Sequence, residues 1–168
     1  MPDNSAAFFF DAVVLSNFAL IDQFHLLVNR YGAGAFVTGE VLDEITIGIS
    51  AGYVKLQNIL SAIEREAMRH TYLSIQERGS YAQFLGHLNS GEASCIACAV
   101  SRGGMVATDD RAARTACTDH KLEVTGTVGI LKALCTDTTV TPDEADGALQ
   151  AMVDQGFYSP VRRITDIL

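Results

Sequence analysis

Phe8-Phe9-Phe10-Asp11-Ala12-Val13-Val14-Leu15-Ser16-Asn17-Phe18 is the stretch whose reading decides the fold. A short, unbroken apolar run suits a strand covered on both faces, and here the run delivers an acid, Asp11, as it ends. Met105-Val106-Ala107-Thr108-Asp109-Asp110 repeats the arrangement late in the chain. If both runs are neighbouring parallel strands, their acids leave the sheet at one edge, the edge where open α/β sheets bind ligands.

Working outward, Phe8 to Val14 reads as a buried strand, and Ser16 is placed to cap a helix running through Leu27. Gly32 and Gly34 break that helix, Phe36-Val37 forms a second strand, and Thr38-Gly39 opens a helix carrying Glu40, Asp43 and Glu44. Acids near a helix amino end are favoured by its dipole, which accounts for Glu40 and Asp43 without function. Tyr53 to His70 and Ser80 to Leu88 carry helical patterns separated by Gly79. Glu92 to Val100 reads as a helix buried nearly all round, and Arg102-Gly103-Gly104 turns the chain into the strand Met105 to Ala107. There follow a helix at Arg111 to Cys117, a fourth strand at Leu122 to Val124, and a glycine-framed helix at Ile130 to Leu134. Thr141-Pro142-Asp143-Glu144 is a capping box with proline in the first turn, and Gly156 ends the helix it starts. Alternating strands and helices of these lengths predict one domain over residues 1–168, a three-layer α/β/α fold with a central parallel sheet.

Composition sets bounds on function. A chain of 168 residues with 48% hydrophobic and 19% charged residues is globular, and no apolar stretch approaches the roughly 20 residues that cross a bilayer. No basic segment precedes Phe8 to Phe10, so a signal peptide is not expected and the reading is cytoplasmic, with no membrane partner. A net charge of -8 argues against broad affinity for nucleic acid, which draws on Lys and Arg. A local basic rim from Arg111 and Arg114, or from Arg162 and Arg163, is compatible with it. Cys95 and Cys98 form a C-x-x-C, but within an apolar helix and with no second pair, so they read as small buried hydrophobes.

Taken singly, each acid has a structural explanation as a cap or a dipole partner. Taken together, several carboxylates in one cleft repel one another, a pair 4 Å apart by roughly 4 kcal/mol at an effective dielectric near 20. A divalent cation reverses that penalty, and oxygen-only ligands suit Mg²⁺ or Mn²⁺. Such ions activate water and offset charge on a phosphodiester, so the chemistry expected of the cluster is phosphodiester hydrolysis.

Phe10-Asp11-Ala12-Val13-Val14-Leu15-Ser16-Asn17-Phe18, Val37 to Glu44, Leu88-Asn89-Ser90-Gly91-Glu92-Ala93, Ala107-Thr108-Asp109-Asp110-Arg111 and Thr125 to Leu131 together resemble the PIN-domain family. The similarity is greatest to its prokaryotic branch related to VapC toxins, and it spans nearly the whole chain. The resemblance implies a Mg²⁺- or Mn²⁺-dependent endoribonuclease whose acidic quartet holds metal and activates water. Matched motif by motif, the quartet is Asp11, Glu44, Glu92 and Asp110, with Asp109 as a substitute or supporting partner. Ser16, Asn17, Arg111 and Arg114 are the expected substrate contacts. An antitoxin protein as partner and a homodimer are further implications. The chain departs from the family where Ala12 replaces the usual Thr or Ser, so either Ser16 or Asn17 supplies the polar contact or the site is weakened.

A different class of function fits the same residues: a non-catalytic PIN-like module that binds RNA or protein and keeps the acids for metal-dependent folding. Ala12 and the acidic charge favour it. Phosphotransfer on a similar sheet fits less well, because a dehalogenase-like phosphatase wants an acid at Val13 and a receiver domain wants its acid pair early.

Overall fold

A computed structural model of the protein describes residues 6–168. Five short strands form its centre: β1 (Phe8–Phe10), β2 (Ala35–Thr38), β3 (Arg69–Thr71), β4 (Met105–Ala107) and β5 (Val124–Thr125). All pair in parallel, in the order β3-β2-β1-β4-β5. Phe8 stands opposite Ala35 on one side and Met105 on the other. All three residues of β1 are buried, as expected of a strand covered on both faces. The chain runs outward from β1 through β2 to β3, then returns to the other side of β1 for β4 and β5. The direction of winding therefore reverses between β1 and β4, and the loops beyond their carboxyl ends diverge to leave a crevice.

Helices complete a three-layer α/β/α fold: α1 (Ala12–Leu20), α2 (His25–Tyr31), α3 (Gly39–Ser50), α4 (Gln57–Glu64), α5 (Ile75–Phe84), α6 (Ser90–Arg102), α7 (Arg111–Asp119), α8 (Thr127–Thr136) and α9 (Pro142–Asp154). No helix is long and apolar enough to cross a membrane among the described residues. The helix α6 is buried from Gly91 to Ala99 and packs against β1, β2 and β4, which explains its apolar sequence on every side. Cys95 and Cys98 lie within it as free, buried thiols. Burial pushes the Cys95 thiol well up and that of Cys98 up to about 12, so neither supplies a thiolate near neutrality.

The structure corrects several expected boundaries. The first strand ends at Phe10 rather than Val14, because Asp11, and not Ser16, caps the first helix: its Oδ1 accepts from Ala12 N at 2.8 Å. Ser16 lies inside α1 and donates to Ala12 O. The expected single helix to Leu27 is two, α1 and α2. The segment 53–70 is a 3₁₀ turn at Val54–Leu56, then α4, then the edge strand β3, a fifth strand. Its polar sequence, Arg69-His70-Thr71, carries no apolar signal because an edge strand is only half covered. The next helix begins at Ile75 rather than Ser80, since Ser74 and Glu77 form a capping box ahead of Gly79. Likewise α6 begins at Ser90 on a box made by Asn89 and Glu92. The fourth expected strand shifts to Val124–Thr125, and the helix after it starts at Thr127.

One ion pair ties the edge of the sheet to its centre. Arg102, in the last turn of α6, donates from Nε and Nη2 to the two oxygens of Glu77, each at 2.8 Å. The same guanidinium reaches Thr71 Oγ1 and Tyr72 O, joining α5, α6 and the end of β3. The Glu77 carboxylate is 2% exposed, and the Arg102 fork beside it holds its pKa down at about 2. Removing the cation strands a buried charge, so Arg102→Met should lower unfolding free energy by about 3 kcal/mol in urea melts at pH 7. Because the folded pKa lies below the unfolded 4.5, the pair stabilises above that value and its contribution fades as pH falls towards 2. The difference between parent and Arg102→Met should shrink over that interval.

Candidate active site

Each of the four expected acids stands at a helix amino end on the carboxyl side of the sheet, or reaches one from a neighbouring helix. Asp11 follows β1 directly, and its N–H donates to Ala107 O at 2.9 Å, which extends the pairing of β1 and β4 by one residue. Thr108 therefore lies beside it and donates from its hydroxyl to Asp11 Oδ2 at 3.2 Å. Glu92, in the first turn of α6, accepts from Asn89 N through Oε2. Glu44, on α3, crosses to the same helix and accepts from Gly91 N through Oε1 at 3.0 Å. Asp110 caps α7, its Oδ1 accepting from Ala113 N at 2.8 Å.

The four share a pattern: one oxygen of each is held by a backbone N–H. The second oxygens of Glu44, Glu92 and Asp110 accept no hydrogen bond among the described residues, whereas Asp11 Oδ2 meets Thr108. Glu44, Glu92 and Asp110 are thus anchored through one oxygen and keep the other unbonded.

Gly91 shows how tightly Glu44 is seated. A Cβ there would stand 2.6 Å from Glu44 Oε1 and 3.0 Å from its Cδ, so any side chain at 91 would push the carboxylate off the α6 backbone. The carboxyl groups also sense one another. Burial, then the charge of Glu92, raises the Asp11 pKa to about 7, with Glu44 adding to the effect. Burial raises Glu92 and Glu44 as well, and Glu92 further feels Asp110 and Glu44. Unmet repulsion of this kind is what a bound cation would relieve.

Asp109 and Asp110 part company in the structure. Asp109 accepts from Thr127 N at 2.8 Å, from Thr127 Oγ1 at 2.6 Å and from Asn17 Nδ2 at 3.4 Å, so its carboxylate joins α1, the β4 end and α8. Gly126 makes room for it: a Cβ there would meet Asp109 Oδ1 at 2.5 Å. Asp110 is exposed and shares a cleft of about 450 Å³ with Asp11, Asn17, Glu92, Asp109 and Arg111. Glu44 does not line that cleft; it stands behind Gly91.

Of the expected substrate contacts, Asn17 and Arg111 line the cleft. Ser16 turns to its own helix, and Arg114 donates to Thr108 O at 3.0 Å and lines the neighbouring groove. Gly156, Phe157 and Tyr158, beyond α9, close the cleft's far wall, a contribution with no chemical motif in the sequence to announce it.

The donor chemistry fits Mg²⁺ or Mn²⁺: oxygen-only, anionic and oriented by backbone anchors. As the side chains stand, however, no three His, Cys, Asp or Glu residues among the described ones are gathered closely enough to hold an ion. Holding one would require the unbonded oxygens of Glu92 and Asp110 to turn into the cleft they line and Asp11 Oδ2 to exchange its bond from Thr108 for the ion.

An all-parallel α/β chain whose winding reverses beside an acidic cleft defines a fold class and the place where a ligand would bind, and no activity by itself. Comparison with protein families is narrower: a family described as a PIN domain matches residues 7–168. The chain belongs to the PIN-domain family, whose members are in general nucleases. Comparison with curated proteins gives no match.

Two outcomes test the assignment of parts. Asp109→Ala leaves the buried Thr127 N–H without its acceptor and should cost about 2 kcal/mol in a urea melt, whereas Asp110→Ala loses only an exposed cap and should cost about 1 kcal/mol. Asp11 titrates in the opposite sense to Glu77. Its folded pKa, about 7, lies above the unfolded 3.8, so the stability it allows below 3.8 is lost as pH rises towards 7. Without divalent ions, Asp11→Asn should therefore exceed the parent at pH 8 by on the order of 2 kcal/mol and match it near pH 3.5, as thermal melts across pH would show.

Proposed function

We propose that the protein is a Mg²⁺- or Mn²⁺-dependent endoribonuclease of VapC toxin-like type, acting on RNA phosphodiesters. The observation that supports this most is the set of backbone-anchored carboxylates, Asp11, Glu44, Glu92 and Asp110, around the crevice where the sheet reverses. A bound divalent cation would supply activation of water and neutralisation of charge on the phosphate. The chain's own part is then to hold and orient. Asp11, Glu92 and Asp110 are the ligands from the cleft wall, and Glu44 supports the turn at Gly91 that carries Glu92. Asn17, fixed by Thr127, offers a polar contact where Ala12 has none, and Arg111 is the exposed cation beside the acids, suited to a phosphate oxygen. Asp109 is a structural partner rather than a ligand in this reading. An antitoxin partner, a homodimer and a cytoplasmic setting complete the proposal by family likeness.

A second reading has its own observation: the carboxylates are not gathered into a ligand set as they stand, and Ala12 lacks the family's hydroxyl. That favours a non-catalytic module that binds RNA or a protein. Cleavage separates the two. Purified protein with Mn²⁺ should cut a mixed RNA substrate, and Asp11→Asn should reduce the rate by at least about 100-fold, since one of the residues that would hold the ion loses its charge. Equal cutting by both proteins would expose a contaminant, and stabilisation by Mn²⁺ without any cutting would leave the binding module.

A further inference from the structure

We propose that Tyr158 is a stacking platform for one unpaired base of an RNA strand whose backbone passes the acidic cleft. This rests on the nucleic-acid reading of that cleft and adds to it a named contact for one base beside the acids.

Tyr158 is 93% exposed, the most exposed of the large apolar or aromatic side chains, and a lone exposed tyrosine is ordinarily unremarkable. Its position is not ordinary. Tyr158 lies on the rim shared by the acidic cleft and by a larger adjoining groove of about 870 Å³, and Phe157, Asp109 and Arg111 line both as well. The groove continues from the acids along α7 and β5, so a strand with a phosphate at the acids has its next nucleotide beside Tyr158.

The segment bearing the ring is held rather than loose. Phe157 N donates to Met152 O at 3.0 Å, Gly156 turns with φ of +106°, and Ser159 closes a small turn with Val161 through bonds at 2.6 and 3.2 Å. Phe157 is half-buried against the core and anchors the segment from behind. With the backbone on either side held, stacking of a base has chiefly the torsions of the ring itself left to order.

Charge selects the mode of contact. Asp109 and Asp119 also line the groove, and the protein carries -8 overall, so phosphate attraction is confined to Arg111 and the partly engaged Arg114. Base stacking needs no cation and works for any base, which makes it the available source of affinity here. The bases of an RNA duplex are already stacked on one another and cannot supply the free face.

The chain contains no tryptophan, so Tyr158→Trp places a single reporter at the proposed platform. Its emission should fall saturably on rapid mixing with a single-stranded RNA oligonucleotide in Mn²⁺, read ahead of any cutting, and should not fall with a blunt duplex of the same sequence. Tyr158→Ala should weaken single-strand binding, measured by anisotropy, at least about fivefold while leaving the thermal melt unchanged. Unquenched emission, equal quenching by duplex, or undiminished binding by Tyr158→Ala would each overturn the platform, as would quenching only by a protein partner. The nuclease reading is scored separately by Mn²⁺-dependent cutting. Quenching without cutting keeps the platform and removes the nuclease; cutting without quenching does the reverse.

Discussion

The pairing of β1 with β4 is the constraint on which the remainder depends. Phe10 opposite Ala107 makes Asp11 and Thr108 neighbours, and the bond from Asp11 N to Ala107 O carries the ladder one step past the strands. Parallel pairing then obliges both following helices, α1 and α7, to start from the same edge, with an acid at or near the start of each. A slip of one residue would put Asp11 opposite the wrong neighbour and turn its side chain to the other face. Burial of all three β1 phenylalanines makes that slip costly, so the apolar core sets the position of the acids.

The carboxylates are used twice. Each completes a helix amino end or seats a tight helix contact, which accounts for its position without any ligand. Each also adds negative charge to a place where the Asp11 and Glu92 carboxyls are already pushed up by burial and by one another. The first use favours folding and the second opposes it. Acids kept at the price of mutual repulsion, three of them with one oxygen fixed and the other unbonded, are what distinguish this edge of the sheet from an ordinary row of helix caps.

Much of this was legible in the sequence, for reasons that differ by element. Buried strands and the largely apolar helix α6 announce themselves through composition, because few polar residues are buried there and those that are, such as Glu92 and Ser94, are hydrogen-bonded. The acids were legible because they interrupt those runs. By contrast β3 is half-exposed, so Arg69-His70-Thr71 had no pattern to show, and α5 lacks a clear apolar stripe. Its start was written in Ser74-x-x-Glu77, and that of α6 in Asn89-x-x-Glu92, signals weaker to the eye than the glycine beside each. Motif order puts Asp110 in the quartet with Asp109 as its substitute, but the bonds of Asp109 to Thr127 and the Glu77–Arg102 pair, which needs the path of α6, are facts of tertiary placement. Tyr158 carries no motif, and only its place on a shared rim distinguishes it from any exposed aromatic.

The strand order also sets a timetable for a chain made from its amino end. β1 meets β2 early, through Phe8 opposite Ala35, and β3 follows on the outer side. The other edge of β1 waits for Met105, and with it the backbone of the most apolar strand waits unpaired while α3 to α6 emerge. Asp110 arrives later still, just past β4, and the groove wall at Phe157 and Tyr158 follows α9. Asp11 and Glu44 are therefore made before the strand that completes the crevice beside them, and the acids come together only once β4 and the start of α7 have joined β1.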